Sequence, residues 1–327
     1  MQVIFLGPLG TYSHEAVRCF VGQSACQLIP QDTINDVVVY ASEQWGMGHS
    51  AIAVLPISNS FLGIVEETLS CLASSALFGQ TGLVVVDEIP LPIQHSLLVK
   101  PDASGESPSL ASIKEVHSHP QALGQCAQYL ERNLPQAQVI PSKSTGAAIP
   151  LVLQSSECDV AAIASTISAE LYGLNVCARS IQTMKDNVTR FYVCTKKPDQ
   201  TDVARFLSEC RTTSKISSSM RRSLIRVQVP KSNNMDAQNI IEQLRSSSEA
   251  PWNAVQNIHT TTTSTGESIL FEVDSQMASR ASSHPHLSDT DTPTSWVQAM
   301  NSLPDGSSIA CLGTWTVPDS LRSNTAI

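Results

Sequence analysis

Short apolar runs alternate with amphipathic segments through the first part of this chain, up to about residue 196. Such alternation is typical of βα units built around mostly parallel sheets. Periodicity and turn residues predict strands at 3–6, 50–54, 81–89, 95–99, 114–117, 139–141, 160–164 and 191–195. Helices are expected at 13–20, 64–70, 120–133, 144–154 and 165–171. The expected fold class is therefore α/β.

A different composition begins after residue 196. Residues 197–223, rich in Lys, Ser, Thr and Asp, predict a partly ordered linker with a short helix at 203–210. Strands at 224–229, 254–262, 267–274 and 308–317, with helices at 236–246 and 293–303, predict a second domain of ferredoxin-like βαββαβ plan at 224–317. Residues 276–292 read as a polar insertion and 318–327 as a tail.

Composition excludes several classes of function. Of the 327 residues, 42% are hydrophobic and 15% charged, enough for packed cores in two or three domains. A net charge of -9 argues against nucleic-acid or anionic-membrane binding. The nine cysteines lack Cys-x-x-Cys or metal-ligand spacing, so reduced thiols and no metal are expected. Without a basic amino-terminal leader or a membrane-length apolar stretch, we expect a cytoplasmic protein.

Small polar groups stand at four predicted strand-to-helix turns, where open α/β sheets bind ligands. These turns lie at 7–14, 55–60, 118–125 and 144–148. Each turn could equally be an ordinary helix cap or loop. Their candidate binding residues are Thr11, Ser13, Asn59, Ser60, Ser118, His119, Gln121, Gln125, Ser144 and Thr145.

Residues 187–191 place an amide, a hydroxyl and a cation within one short segment. In a strand, Asn187, Thr189 and Phe191 point to one face and Val188 and Arg190 to the other. The first face offers neutral hydrogen-bond groups, and the second offers a guanidinium suited to a carboxylate. An ordinary edge strand with a solvated arginine is the alternative interpretation.

Taken in order, these blocks resemble the prephenate dehydratase family over about residues 1–196. The matching segments are GPLGTYS at 7–13, PISNS at 56–60 with Gly63, SHPQAL at 118–123, STGAA at 144–148, AAIAS at 161–165, AELYGL at 169–174 and NVTRF at 187–191. The resemblance implies two lobes like those of periplasmic binding proteins, at about 1–80 plus 180–196 and 81–179, with the active site in the cleft. It also implies conversion of prephenate to phenylpyruvate without metal or cofactor.

The family's residue roles carry over by resemblance to matching positions. Thr189 corresponds to the residue beside the departing hydroxyl, with a hydrogen-bonding or relay role. The positions that bind and orient substrate are Asn59, Ser118 and Gln125. The candidates for balancing a doubly anionic substrate are Arg190 and the helix starts after Ser13 and Ser144. His119 belongs to a family motif, but its role stays open.

Several positions depart from the family pattern. Ser58 and Leu62 stand where the family usually has Glu, and Thr183 stands where it commonly has Asp. The carboxy-terminal domain corresponds to an ACT domain, which binds phenylalanine and pairs subunits. Its effector-binding motifs are absent, so the scaffold and a homodimer are expected while the effector stays unknown.

Two kinds of alternative remain. An arogenate dehydratase or a prephenate decarboxylase would use the same scaffold, although the retained Thr189 disfavours the decarboxylase. A non-catalytic ligand sensor is the other alternative. The enzyme hypothesis requires Asn59, Ser118, Gln125 and Thr189 to line one cleft.

Overall fold

Two β-sheets organise the protein. The computed structural model describes residues 1–79, 82–196, 201–212, 220–231, 236–246, 255–264, 266–276, 303 and 305–317. The strands are β1 Gln2–Leu6, β2 Gln27–Gln31, β3 Ala51–Asn59, β4 Gly63–Ile64, β5 Leu83–Pro92, β6 Ser96–Val99, β7 Glu115–Ser118, β8 Gln138–Pro141, β9 Val160–Ala164, β10 Asn175–Ala178, β11 Val188–Lys196, β12 Met220–Pro230, β13 Val255–Thr262, β14 Gly266–Gln276 and β15 Ser308–Thr316. The α-helices are α1 Tyr12–Val21, α2 Ile34–Gly46, α3 Glu66–Ala73, α4 Pro120–Gln125, α5 Ala127–Asn133, α6 Ile149–Gln154, α7 Thr166–Tyr172, α8 Thr201–Thr212 and α9 Ala237–Ser246.

The two sheets divide the first 196 residues into two lobes. Lobe one contains β1 to β5 and β11, whose sheet runs β5-β11-β3-β1-β2 with β4 beside β3. Lobe two contains β6 to β10 in the order β10-β6-β9-β7-β8. The predicted boundary at residue 81 is wrong, because β5 pairs along its whole length with β11 in lobe one. The chain crosses between lobes after Pro92 and returns before Val188.

Near-continuous apolar runs explain the lobe-one core. The side chains of β1 and β3 are buried on both faces, as expected for strands covered by helices. The helices that cover them start at capping threonines: Thr11 accepts from the N–H of His14 at 3.3 Å, and Thr33 accepts from that of Asp36 at 3.0 Å. These caps hold the polar loops after the strands in fixed positions.

The segment predicted as a loose linker is partly a core element. Helix α8 buries Val203, Phe206, Leu207 and Cys210 in the lobe-one core, and β12 begins at Met220. The short helix predicted at 203–210 is confirmed within Thr201–Thr212, but its assignment to a partly ordered linker is wrong, because its apolar residues at helical spacing supply a buried face. The rest of the predicted linker lies mostly outside the described residues.

The carboxy-terminal strands form the antiparallel order β13-β14-β12-β15, which is consistent with the ferredoxin-like βαββαβ plan predicted from the sequence. The predicted helix at 293–303 and the tail lie outside the described residues, apart from residue 303, as does the insertion after residue 276. Strand β15 meets β5 at Gly313 and Val85, so this sheet continues that of lobe one. Gly313 has a φ of 149°, and a Cβ there would lie 2.0 Å from the Val85 carbonyl oxygen. The junction therefore depends on glycine.

Across the described residues, no helix has both the length and the apolar character that crossing a membrane requires.

Candidate active site

A cavity of about 350 Å³ lies between the lobes. Its walls contain eleven of the fourteen residues predicted for the site. Those eleven are Thr11, Ser13, Asn59, His119, Gln121, Gln125, Ser144, Thr145, Asn187, Thr189 and Phe191. The blocks picked out by sequence thus converge on one cleft, because they lie at the end of a strand, in the turn after one, or at the start of β11.

A chain of hydrogen bonds crosses the cleft. The Asn59 amide nitrogen donates to Asn187 Oδ1 at 2.7 Å and to Thr189 Oγ1 at 2.9 Å. The Asn187 amide nitrogen donates to Gln125 Oε1 at 3.0 Å. His95 Nε2 lies 2.9 Å from the same Gln125 oxygen. Three residues from lobe one thus meet two from lobe two.

Backbone groups determine the direction of these bonds. Asn59 Oδ1 lies 2.9 and 3.1 Å from the backbone N–H groups of Phe61 and Leu62, which can only donate. The Asn59 amide must therefore present its nitrogen to Thr189. Because Thr189 Oγ1 accepts that bond and its hydroxyl hydrogen has no acceptor among the described residues, the hydrogen is available to a molecule in the cleft. The Thr189 hydroxyl is oriented as a donor.

The same logic orients Gln125. Its Oε1 accepts from Asn187 and faces His95, so its amide nitrogen keeps two hydrogens available for the cleft. Since the partner atom on Gln125 is an acceptor, the imidazole of His95 carries its hydrogen on Nε2. Its Nδ1 lies 2.5 Å from the Tyr12 hydroxyl. Burial lowers the pKa of His95, which favours the neutral imidazole that this arrangement needs.

Sequence reasoning missed three polar residues of the cleft, namely Tyr12, His95 and Lys143. Tyr12 lies inside the first matching block, but its buried hydroxyl gives no signal of its own. His95 stands just before β6, as a polar residue entering an apolar strand. This polar residue at the start of an apolar strand was the available signal of a site residue. Lys143 directly precedes the small-residue turn at 144–148, and this position was the available signal.

Three predicted site residues do not reach the cavity. Ser118 is fully buried, and its hydroxyl donates to the Ile163 carbonyl at 2.5 Å, inside lobe two. Ser60 bonds to the loop before β11, with its hydroxyl 3.0 Å from the N–H of Val188. Both predictions are corrected for the same reason: these hydroxyls tie backbone segments together. Of the four residues that the enzyme hypothesis requires in one cleft, Asn59, Gln125 and Thr189 line it, and Ser118 does not.

Arg190 is the third correction. It points to the opposite side of β11, as the strand alternation required, and binds Glu88 of β5 and Glu272 of β14. Its Nη2 lies 3.0 and 3.1 Å from the two Glu272 oxygens. Arg190 is therefore committed to a buried ion cluster, and the expectation that it anchors the substrate is wrong.

The buried cluster joins the carboxy-terminal domain to lobe one. Arg222 of β12 binds both oxygens of Asp274 at 2.6 and 2.9 Å and lies 3.7 Å from Glu272 and Glu88. Glu272 is 0% exposed, and although burial disfavours its charge, Arg190 and Arg222 hold its pKa at about 2. Charge pairing thus overrides desolvation here.

Helix starts near the cleft are occupied by caps. Ser144 Oγ accepts from the N–H of Ala147 at 3.0 Å, and His119 Nδ1 accepts from that of Gln121 at 3.4 Å. Thr11 caps α1, as described above. The capping alternative is thus realised at these turns, although the same residues still line the cavity.

The lobes also contact each other beside the cavity. Ser165 Oγ donates to Glu15 Oε2 at 2.5 Å, and Ser168 Oγ donates to the Gly10 carbonyl at 2.8 Å. Burial raises the pKa of Glu15. These contacts bring α1 of lobe one against α7 of lobe two and close one end of the cleft.

The described lining of the cavity contains no aspartate or glutamate, and its single lysine or arginine is Lys143. No group of three or more His, Cys, Asp or Glu side chains suited to a metal ion occurs within the described ranges. The cleft can therefore offer neutral donors, one cation and apolar walls to a small anionic molecule.

Comparison with known proteins points to one family. A sequence model described as prephenate dehydratase matches residues 3–199. The bifunctional chorismate mutase/prephenate dehydratase of Aquifex aeolicus (strain VF5) is 36% identical over 197 residues, 60% of this chain and 49% of that protein. The prephenate dehydratase of Lactococcus lactis subsp. lactis (strain IL1403) is 33% identical over 206 residues, 63% of this chain and 67% of that protein. The match thus spans about half the length of the bifunctional relative.

A solved structure extends the likeness in fold to the carboxy-terminal region. The prephenate dehydratase of Arthrobacter aurescens in complex with L-Phe has a TM-score of 0.70 at 23% identity, and the alignment covers 97% of this chain and 90% of that chain. The order of lobes and carboxy-terminal sheet described above is therefore a known arrangement.

Proposed function

Because this chain belongs to the prephenate dehydratase family, we propose that it converts prephenate to phenylpyruvate, carbon dioxide and water. The carbon–carbon bond to the ring carboxylate breaks, and its electron pair enters the ring as carbon dioxide leaves. The carbon–oxygen bond to the ring hydroxyl breaks, and that oxygen departs with its bonding electrons. A proton converts the departing hydroxide to water, and the ring becomes aromatic.

The orientation of Thr189 is the observation that supports this function most directly. Hydroxide is a poor leaving group, so a donor aimed at it lowers the barrier. The Thr189 hydroxyl accepts from Asn59 and keeps its own hydrogen for the cleft. A threonine is too weak an acid to act alone, so we assign it a hydrogen bond to the departing oxygen or a role in relaying the proton. The Gln125 amide, oriented by His95 and Asn187, is a second neutral donor to the substrate.

Replacement of Thr189 tests the proposal. Thr189→Val keeps the shape but removes the donor, and the loss of one oriented donor typically lowers kcat by about 100-fold or more. Thr189→Ser restores a hydroxyl and should recover much of the rate. Formation of phenylpyruvate is followed by its absorbance, and circular dichroism checks that both variants fold.

The products separate the alternatives. A product that has lost carbon dioxide but keeps the hydroxyl would identify a prephenate decarboxylase. Binding of prephenate without turnover by the wild-type protein would identify a sensor. Equal rates for wild type and Thr189→Val would refute the assigned role of Thr189 while leaving the reaction itself in place.

We further propose an ACT-like role for the carboxy-terminal domain and a homodimer. Among the described strands, β13 ends the larger sheet, and we place a second copy at its outer edge, while the other edge of this domain is covered by β5. A phenylalanine effector is not assigned, since the expected motifs are absent from the sequence. None of the nine cysteines forms a disulfide, which agrees with the reducing cytoplasm that we propose as the location.

A further inference from the structure

We propose that Lys143 binds the side-chain carboxylate of the substrate and makes the cleft selective for a keto acid over the corresponding amino acid. This inference rests on the proposed dehydration and adds the substrate class and the direction in which the substrate lies. It starts from the charges that line the cavity.

The cleft has to hold a molecule with two carboxylates, yet its described lining contains one side chain with a permanent positive charge, Lys143. Arg190 is excluded because Glu88 and Glu272 hold it on the other side of β11. His95 is kept neutral, since burial lowers its pKa. Lys143 lines the cavity and forms no ion pair with any described residue, so its ammonium group is available to an anion.

The reaction itself decides which carboxylate Lys143 can hold. The ring carboxylate must give up its charge as carbon dioxide leaves, so a lysine bound to it would stabilise the ground state and slow the reaction. The side-chain carboxylate keeps its charge throughout. A cation there contributes binding without opposing the chemistry, and the departing carboxylate is left without a cationic partner among the described lining residues.

The position of Lys143 agrees with this assignment. It follows β8 in lobe two, whereas Thr189 lies on β11 in lobe one, so the two side chains belong to opposite walls of the cleft. In prephenate the hydroxyl and the side chain are attached to ring carbons that face each other across the ring. A substrate with its hydroxyl at Thr189 therefore directs its side chain away from lobe one, toward lobe two and Lys143.

An amine in place of the keto oxygen would be poorly accommodated. The ammonium of arogenate would lie beside the lysine that binds the adjacent carboxylate, and like charges at this distance repel. No aspartate or glutamate in the described lining could compensate it. The cleft thus favours the keto acid.

Steady-state kinetics with prephenate and arogenate test the inference in wild type, Lys143→Gln and Lys143→Glu. The wild type should prefer prephenate by at least about tenfold in kcat/KM, one charge-assisted contact being worth roughly that factor. Lys143→Gln should raise KM for prephenate about tenfold with kcat within about twofold, as expected for uniform binding. Lys143→Glu should lower the preference for prephenate over arogenate more than Lys143→Gln does. Lys114→Gln, at an exposed lysine paired with Asp159, is the matched control and should change neither KM nor kcat.

Several outcomes would overturn the inference and leave the dehydration intact. These are a wild-type preference for arogenate, unchanged constants in Lys143→Gln, or a fall in kcat alone. If neither substrate turned over, the proposed function would fail. Binding of the side-chain carboxylate by Lys143 would still be tested by titrating phenylpyruvate into wild type and Lys143→Gln. A Kd about tenfold higher in the variant supports carboxylate binding by Lys143, and equal Kd values refute it.

Discussion

Glu272→Gln tests how strongly the buried ion cluster joins the carboxy-terminal domain to lobe one. Glu272 is 0% exposed and accepts from Arg190, from the Tyr192 hydroxyl and, at 2.6 Å, from Asn257. A glutamine keeps the shape and one acceptor oxygen but removes the charge that both arginines face. The expected result is a lower free energy of unfolding at pH 7.

The size of the loss follows from the pKa of Glu272. A fall from 4.5 in the unfolded chain to about 2 in the folded protein is equivalent to about 3 kcal/mol. Breaking a buried ion pair typically costs about 3–5 kcal/mol. The low end applies because Arg190 keeps Glu88 and Arg222 keeps Asp274 after the substitution. We therefore expect a loss of about 3 kcal/mol at neutral pH.

The pH dependence gives a second signature. The folded-state pKa is depressed, so the contribution of Glu272 is complete above its unfolded pKa of 4.5 and is lost as the pH falls through about 2. The difference between wild type and Glu272→Gln should therefore shrink from about 3 kcal/mol at pH 7 to about 1 kcal/mol at pH 3.

Urea unfolding followed by circular dichroism and tryptophan fluorescence measures this difference. Glu267→Gln, on the same strand but hydrogen-bonded at the surface to Thr262, is the matched control and should stay within about 0.5 kcal/mol of wild type. A loss below about 1 kcal/mol at pH 7, or one that does not change between pH 7 and pH 3, would contradict the reasoning.

Three further predictions concern the cleft and the sheet junction. His95→Leu removes the donor that orients Gln125, so kcat for prephenate should fall about tenfold with an unchanged fold, and an unaltered kcat would refute the positioning role. Glu15→Gln keeps an acceptor for Ser165. Because burial raises the pKa of Glu15, wild-type stability should rise relative to this variant as the pH falls, and parallel pH profiles in urea unfolding would contradict this expectation. Gly313→Ala should lower the free energy of unfolding by more than about 1 kcal/mol, measured by the same assay, since its Cβ has no room.

Local pattern was enough to predict much of the fold. Strand β9 was predicted with its observed bounds, and β1, β6 and β13 to within one residue at each end, because continuous apolar runs between turn residues leave few other interpretations. Strands β2, β4 and β10 and helix α2 were missed. Strand β2 is only partly buried, and its mixed sequence QLIPQ carries little periodic signal. The predicted helix at 120–133 is divided at Cys126 into α4 and α5.

The sequence by itself determined the family and most of the residues that line the cleft, because these residues stand in short blocks whose order along the chain matches that of the family. Strand alternation predicted that Thr189 and Arg190 point to opposite faces, but only the tertiary structure decided what each face contacts. Arg190 and Thr189 are neighbours in sequence, yet pleating sends one into the ion cluster and the other into the cavity. Lys143 and His95 reach the cleft through the packing of segments that are distant in sequence. Local residue spacing does not predict such contacts.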